Sequence, residues 1–332
     1  MKITWKNIAI ILIVFSAFLF GSCRRSASDG PIVLRVASAA QIGDSLDQAL
    51  NFFVQELSAR TDGAITGEVF SASQLGHHSD YIAGLQMGSI HVAEITAAVL
   101  STVAPRFAIF DLPYISESPQ ALFDILDGEA GDILTRHIMD VAQIRPIGWM
   151  VRTPRHVYSS AGPIRTVEDF RNLRIRTMQS APMIRGMELL GAFPSAIPTA
   201  ERYTALQTGV VDAAENNVAE IWNTNEWEVT RYLSKTAHLV APNVISIGTR
   251  FLESLSEEHQ RIIIEVGREA GMLATRLEIE GERPFEELLA TQGEMIINEI
   301  EDMSSFVTAL APLHHEWAPV IGADLIALFR GE

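Results

Sequence analysis

IVLRVASAAQIGDSLDQALNFFVQELSARTDGAITGEVF, residues 32–70, carries the alternation that decides the fold. Residues 32–40 open as a strand, with apolar and polar positions alternating at its start. From 44 to 60 the period changes: Leu46, Leu50, Phe53, Val54 and Leu57 fall on one stripe of an amphipathic helix. Asp62-Gly63 reads as a turn and residues 64–70 as a second strand. A helix over 79–87 and a strand over 90–95 continue the series. Strand and helix in alternation predict an α/β fold, a mostly parallel sheet covered by helices.

Further on, residues 119–139 read as helical and 147–151 as a strand. A second α/β unit begins near Arg155. It has a helical turn at 167–170, a strand at 173–177, helices at 182–190 and 201–208, and a strand-like 210–212. Residues 217–226 and 229–233 read as helix or loop, and 244–249 returns to strand. Beyond Leu255 the chain is nearly all helix, in segments 255–282, 284–290, 304–317 and 322–329. Two α/β lobes with a helical C-terminal region predict a cleft between them, a favoured place for a small ligand.

Composition narrows the function classes. The 332 residues are 48% hydrophobic and 20% charged, enough for two cores and unlike a disordered chain. Lys and Arg number 25 against 41 Asp and Glu, a formal charge of −16 with no basic run, so no nucleic-acid partner is expected. The one cysteine, Cys23, excludes an internal disulfide and a Cys-rich zinc site. It follows Lys2, Lys6, an apolar run over 8–20 and Gly21-Ser22. That run alone falls about 10 Å short of a bilayer core and fits a signal peptide. Its ending resembles a bacterial lipobox, with Phe20 where Leu, Val or Ile is preferred. Residues 1–22 are therefore expected to be a lipoprotein signal peptide. Cys23 would be acylated, residues 23–30 a tether, and the protein extracytoplasmic and lipid-anchored. The alternatives are an uncleaved anchor helix with Cys23 a bystander, or a soluble cytoplasmic protein.

Enzyme motifs are scarce: no dinucleotide fingerprint, Walker A loop, H-E-x-x-H or G-x-S-x-G occurs. His77-His78 and His314-His315 are adjacent pairs, which do not share a helix face, and read as surface or packing residues. No catalytic residue, metal or cofactor is expected. More informative are Arg165, Arg171, Arg174 and Arg176, crowded into twelve residues of an acidic chain. On a strand, Arg174 and Arg176 face away from Leu173 and Ile175. An arginine aimed from a strand end into a cleft suits a carboxylate, because its planar fork gives two parallel hydrogen bonds. The alternative is that all four are solvated or paired with acids such as Glu168 and Asp169.

TVEDFRNLRIRTMQS (residues 166–180) and ERYTALQTGVVDAAENN (201–217) resemble two signatures of the DctP-type extracytoplasmic solute receptors of TRAP transporters. SASQLG, MGSIHVAE, FDLPYI and EWEVTRYLS resemble further ones in the same order, over essentially all of residues 32–332. The resemblance implies a two-lobed periplasmic binding-protein-like fold (class II-like). Lobe one would take residues 31–153 and 242–281, lobe two 154–241 and 282–332. It implies a monomer that captures a small organic acid and delivers it to the small and large membrane subunits for ion-coupled uptake. A C4-dicarboxylate, a sugar acid or another carboxylate all fit.

Carried over by residue, Arg176 is the expected carboxylate clamp, Arg155 a second ligand-side arginine and Asn216 a contact from the second lobe. Thr96 is a further polar candidate, while Tyr203 and Glu215 would shape or back the cleft. Trp149, Phe193, Trp222 and Gln41 are weaker lining candidates. Ala213-Ala214 and Asn217 depart from the Gly-Gln and Pro of the motif, and Asn172 from its Gly. The rival readings are a ligand-sensing lipoprotein for a signalling system and an extracytoplasmic enzyme on the same scaffold.

Overall fold

The computed structural model describes residues 30–331, so the expected signal peptide, Cys23 and all but the end of the tether lie outside the described residues. Its strands are β1 (Ile32–Ala37), β2 (Ile65–Phe70), β3 (Val92–Thr96), β4 (Ile144–Val151), β5 (Arg155–Ser159), β6 (Arg174–Thr177), β7 (Phe193–Ala196), β8 (Ala213–Asn216), β9 (Tyr232–Leu239), β10 (Pro242–Gly248) and β11 (Ile296–Glu299). The helices are α1 (Ser45–Arg60), α2 (His78–Met87), α3 (Ala97–Leu100), α4 (Pro119–Leu126), α5 (Glu129–Ala142), α6 (Ala181–Leu189), α7 (Arg202–Gln207), α8 (Val218–Asn223), α9 (Thr249–Glu253), α10 (Glu257–Thr291), α11 (Met303–Ile321) and α12 (Ala323–Arg330).

One lobe is built on the five-stranded sheet β2-β1-β3-β10-β4, the other on the six-stranded sheet β11-β9-β5-β8-β6-β7. Neither is purely parallel. β10 runs antiparallel between β3 and β4, and β5 runs antiparallel between β8 and β9. Each sheet is covered on both faces. In the first lobe the α1 stripe of Leu46, Leu50, Phe53 and Leu57 packs on Leu34, Val36, Ile245 and Ile247. Ala37, Ile95 and Val244 point the other way, toward Tyr81, Ile138 and Phe329. In the second, Val157 and Ala213 share one core with Phe170 and Phe306 while their neighbours Tyr158 and Ala214 turn to Leu206, Ile221 and Leu289.

Several elements differ from the sequence expectation. Val210 and Val211 read as strand, but Gly209, at φ 69, closes α7 and leaves Val210 exposed, so the strand starts at Ala213. The strands β5, β7, β9 and β11 were not anticipated. The expected helices at 255–282 and 284–290 are one 35-residue helix, α10. Pro284 removes one backbone hydrogen bond from it, and the packing of Phe285 and Leu289 in the second lobe carries the helix past that point. The C-terminal boundary also changes. Residues 282–332 were placed together in lobe two, yet Leu313, Ile321, Leu325, Ile326 and Phe329 complete the first lobe's core, because α11 leaves the second lobe after Phe306 and Leu310.

The α10 helix sits on β4 at a contact that only glycine permits. A Cβ on Gly148 would lie 2.2 Å from the Gly267 carbonyl oxygen, one on Gly267 2.7 Å from the Ile147 oxygen, and one on Gly271 2.6 Å from the Trp149 oxygen. Backbone meets backbone here, and no side chain can rotate to make room.

Asp111, ending the 3-10 turn Pro105–Asp111, meets the second lobe behind the cleft. Its Oδ2 accepts from the Ser180 hydroxyl at 2.6 Å, while Oδ1 has no partner beside a cavity edged by Phe170, Met183, Phe306 and Leu313. Burial pushes its carboxyl up to about 7, against the Ser180 hydrogen bond.

Gly267→Ala is expected to destabilise by about 1–3 kcal/mol, against less than about 0.5 kcal/mol for the unobstructed Gly162→Ala, both read from denaturant midpoints. A raised carboxyl stabilises the fold fully below its unfolded value, and this contribution is lost as pH rises through about 7. Asp111→Asn should therefore flatten the decline in Tm between pH 5 and 8. An unchanged Tm-versus-pH profile would contradict the buried, protonated state of Asp111.

Candidate functional site

Two adjoining cavities open between the lobes. The larger has an empty volume of about 420 Å³, and its lining includes Ala39, Glu94 and Thr96 of the first lobe and Met178, Arg202, Asn216 and Glu220 of the second. The other has about 330 Å³ and includes Ser73, Arg176, Gln179 and Ile197. His78, Met178 and Thr199 line both.

Strand pairing places the arginine. Ile175 pairs with Ala213 inside the sheet, so Arg174 and Arg176 leave the opposite face, as expected. Their surroundings differ sharply. Arg174, at the strand start, is exposed and held by Asp212 at 2.8 Å. Arg176 is 1% exposed; its Nε donates to the Ile197 carbonyl at 2.7 Å, and its Nη1 has no hydrogen-bond partner. Burial, reinforced by the charge of Arg202, pulls this guanidinium down to about 10. A cation out of water with an unfilled donor is an incomplete site.

The other arginines are already engaged. Arg155 lines the cleft, but its Nε and Nη2 are taken by Glu215, with Nη2 also donating to the Glu215 carbonyl at 2.8 Å. Glu215 stands behind the cleft, fully buried. Burial alone would raise its carboxyl, and Arg155 outweighs that to hold it at about 2. Arg202 bonds Glu226 at 2.5 Å and Glu220 at 3.1 Å. Arg152 lies between Glu278 (3.0 Å), Glu220 (3.5 Å) and Asp44 (3.7 Å).

Facing these is Glu94 at the centre of β3. It accepts from Ser38, from the Ala39 amide and from Asn243, and the His78 Nε2 lies 3.6 Å away without a hydrogen-bond partner. Burial works to raise its carboxyl, but His78, Asn243 and the Ala39 amide prevail and hold it at about 2.

Of the residues expected at the site, Arg176, Arg155, Asn216 and Thr96 line the cavities, with Glu215 behind them. Trp149 does not. It packs against Phe107 and Phe110 at 6.1 Å, inside the first-lobe core. Phe193 is 60% exposed on the edge strand β7, and the Tyr203 hydroxyl turns to Glu228 at 2.9 Å. Trp222 stacks on Trp227, and Gln41 stays on the loop after β1, outside the cavity lining. His78, expected at the surface, is buried in the cleft because α2 starts there and turns it toward Glu94. Arg152, Arg202, Glu94 and Asn243 were missed. Arg152 precedes Arg155 by three residues on the same interlobe crossing, a spacing that could have drawn attention to it.

The motif departures fit locally. Asn172 adopts φ 63, the left-handed geometry that Asn tolerates, whereas Ala213 lies within β8. Asn217 caps α8 through the Glu220 amide at 2.8 Å and donates to Glu278 at 3.3 Å.

The sequence profile of the bacterial extracellular solute-binding protein family 7 (DctP) matches residues 36–319. A TRAP periplasmic solute-binding protein from a Sulfitobacter species, solved with β-D-galacturonate, superposes with a TM-score of 0.86 at 28% identity, covering 90% of this chain and 100% of that one. One from Roseobacter denitrificans with β-D-glucuronate gives 0.86 and 28%, covering 90% and 99%. The 2,3-diketo-L-gulonate-binding periplasmic protein of Escherichia coli is 27% identical over 299 residues, 90% of each chain. The two-lobed frame, the cleft between its sheets and the family profile agree, and the chain belongs to the DctP family of TRAP-transporter periplasmic solute-binding proteins, which bind small carboxylic acids.

Proposed function

We propose that the cleft takes a polyhydroxylated monocarboxylate, a uronic or aldonic acid, and that Arg176 receives its carboxylate. The observation that carries this reading is the buried Arg176 guanidinium with an unpartnered Nη1. A ligand carboxylate would supply the missing counter-charge and acceptor, in a site where water does not weaken the pair. The rest of the lining suits hydroxyls better than a second anion. Arg152, Arg155 and Arg202 already hold carboxylates, so they offer no free cation to a dicarboxylate. Ionised Glu94 can accept from a hydroxyl and would repel a second carboxylate. His78, Thr96, Thr199, Asn216 and Asn243 add further hydrogen-bonding partners for hydroxyls. Galacturonate and glucuronate in the related structures support the same class.

The lobes would close on the ligand by turning about the β4–β5 and β9–β10 crossings, and the closed form would be what the membrane subunits recognise. Attachment through an acylated Cys23 belongs to the same reading, on the strength of the basic start, the apolar run and Gly-Ser-Cys.

Calorimetric titration is expected to show binding of D-galacturonate or D-glucuronate and much weaker binding of succinate; equal affinities would overturn the sugar-acid assignment. Arg176→Ala should lose roughly 30- to several-thousand-fold in affinity, about 2–5 kcal/mol, with Arg176→Lys restoring only part. Since the arginine is unpaired without ligand, the ligand-free Tm of Arg176→Ala should not fall. A lower Tm with affinity within about threefold of wild type would make Arg176 a structural residue instead. Mass spectrometry of the membrane fraction should find a diacylated N-terminal Cys23; an intact segment 1–22 joined to unmodified Cys23 would refute the anchor.

A further inference from the structure

The acid-rich side of the cleft, which Arg202 joins to the Arg176 side, contains more carboxylates than its own cations and donors satisfy. Asp44 caps α1 from the first lobe, accepting from the Leu46 amide at 2.9 Å and from Asn223 of the second lobe at 3.1 Å. Glu278 reaches in from α10, accepting from Asn217 at 3.3 Å and pairing with Arg152 at 3.0 Å. Glu220 of α8 shares Arg152 but is drawn to Arg202, which also holds Glu226. All four acids and both arginines are buried, so two guanidiniums face four carboxylates. Glu94, which also lines the cleft, adds a further negative charge felt by Arg152.

The Ser45 hydroxyl makes the imbalance local. Its Oγ bonds Glu278 Oε1 and lies 3.2 Å from Asp44 Oδ1. A hydroxyl has one proton to donate and cannot serve two ionised carboxylates at once. With one carboxyl protonated, the chain closes: the acid donates to Oγ, and Oγ donates to the other carboxylate.

We infer that the lobes, when in contact, hold one proton between Asp44 and Glu278, taken up as the cleft closes and returned to solvent as it opens. This rests on the ligand-driven closure proposed above. Asp44 and Ser45 belong to the first lobe and Glu278 to the helix packed on it, and Asn217, Glu220 and Asn223 of the second lobe close over them. Parting them removes Asn223 and Glu220 and lets water in, and the carboxyls return to their ordinary range. In the assembled cleft burial pushes both Asp44 and Glu278 up, against the pull of Arg152; Glu220 is instead held low, because Arg202 and Arg152 together outweigh its burial. The sign follows from linkage. A carboxyl raised in the closed form favours closure fully below its open-state value, and that advantage is lost as pH rises through the closed-state value. Ligand affinity should fall with rising pH in that window, by up to about tenfold per pH unit for one proton.

Two measurements test this, with Glu278→Gln and Asp44→Asn as variants; asparagine keeps the helix cap. Titration of D-galacturonate at pH 7 in phosphate and in Tris counts protons from the buffer dependence of the heat. Wild type should take up close to one more proton per ligand than either variant, and equal counts in all three would overturn the inference. Melting in saturating D-galacturonate, where the cleft is closed, is the second arm. Relative to wild type, Glu278→Gln should raise Tm at pH 8 and leave it unchanged at pH 5, whereas equal losses at both pH values would also overturn it. Failure of both D-galacturonate and D-glucuronate to bind would remove the sugar-acid reading and with it the closure on which the proton depends, whereas binding with equal proton counts would remove the proton alone.

Discussion

A guanidinium withdrawn from water without an anion beside it is the constraint on which this cleft depends. Arg176 is buried, bonded only through Nε to a backbone carbonyl, and pressed by the like charge of Arg202. Such a group costs several kcal/mol unless its surroundings compensate. The fold compensates by rigidity. Arg176 leaves a strand locked between β7 and β8, and every other arginine of the cleft is tied to its own carboxylate. Those pairings stop neighbouring acids from collapsing onto Arg176 and filling the place meant for a ligand.

Polar saturation does comparable work on the opposite wall. Glu94 is ringed by Ser38, Ala39, Asn243 and His78, which keeps it ionised at the centre of a β-sheet. Asn217 ties the start of α8 to the connecting helix through Glu278. Cation on one wall and anion on the other give the cleft a direction, and a ligand with one charged end and many hydroxyls matches it.

The first-lobe sheet, most helices and the exit of Arg176 were legible because they depend on short-range periodicity: Leu46 to Leu57 repeat on one helical face, and Arg176 opposes Ile175 on a strand. What was illegible depends on separation in sequence. Asp44 meets Asn223 across 179 positions, and Arg155 meets Glu215 across 60. No local pattern distinguishes such arginines from solvated ones. His78 was misjudged for the same reason, since its burial comes from Glu94 and the second lobe and not from its own turn. Phe193 and Trp149 failed in opposite directions: one lies on an unpaired strand edge, the other was absorbed by an aromatic core. β9 was missed because its eight residues include Ser, Lys, Thr and His, which are tolerated there as members of a two-sided interior ladder.

The return of α12 to the first lobe bears on how the chain can be made. Leu325 and Phe329 fill a core whose other walls come from residues near 37, 95, 138 and 244. A nascent chain therefore cannot finish its first lobe until the ribosome has passed residue 329, and the contacts it awaits are among the most non-local in the molecule. Closing such loops is slow compared with forming the helices themselves.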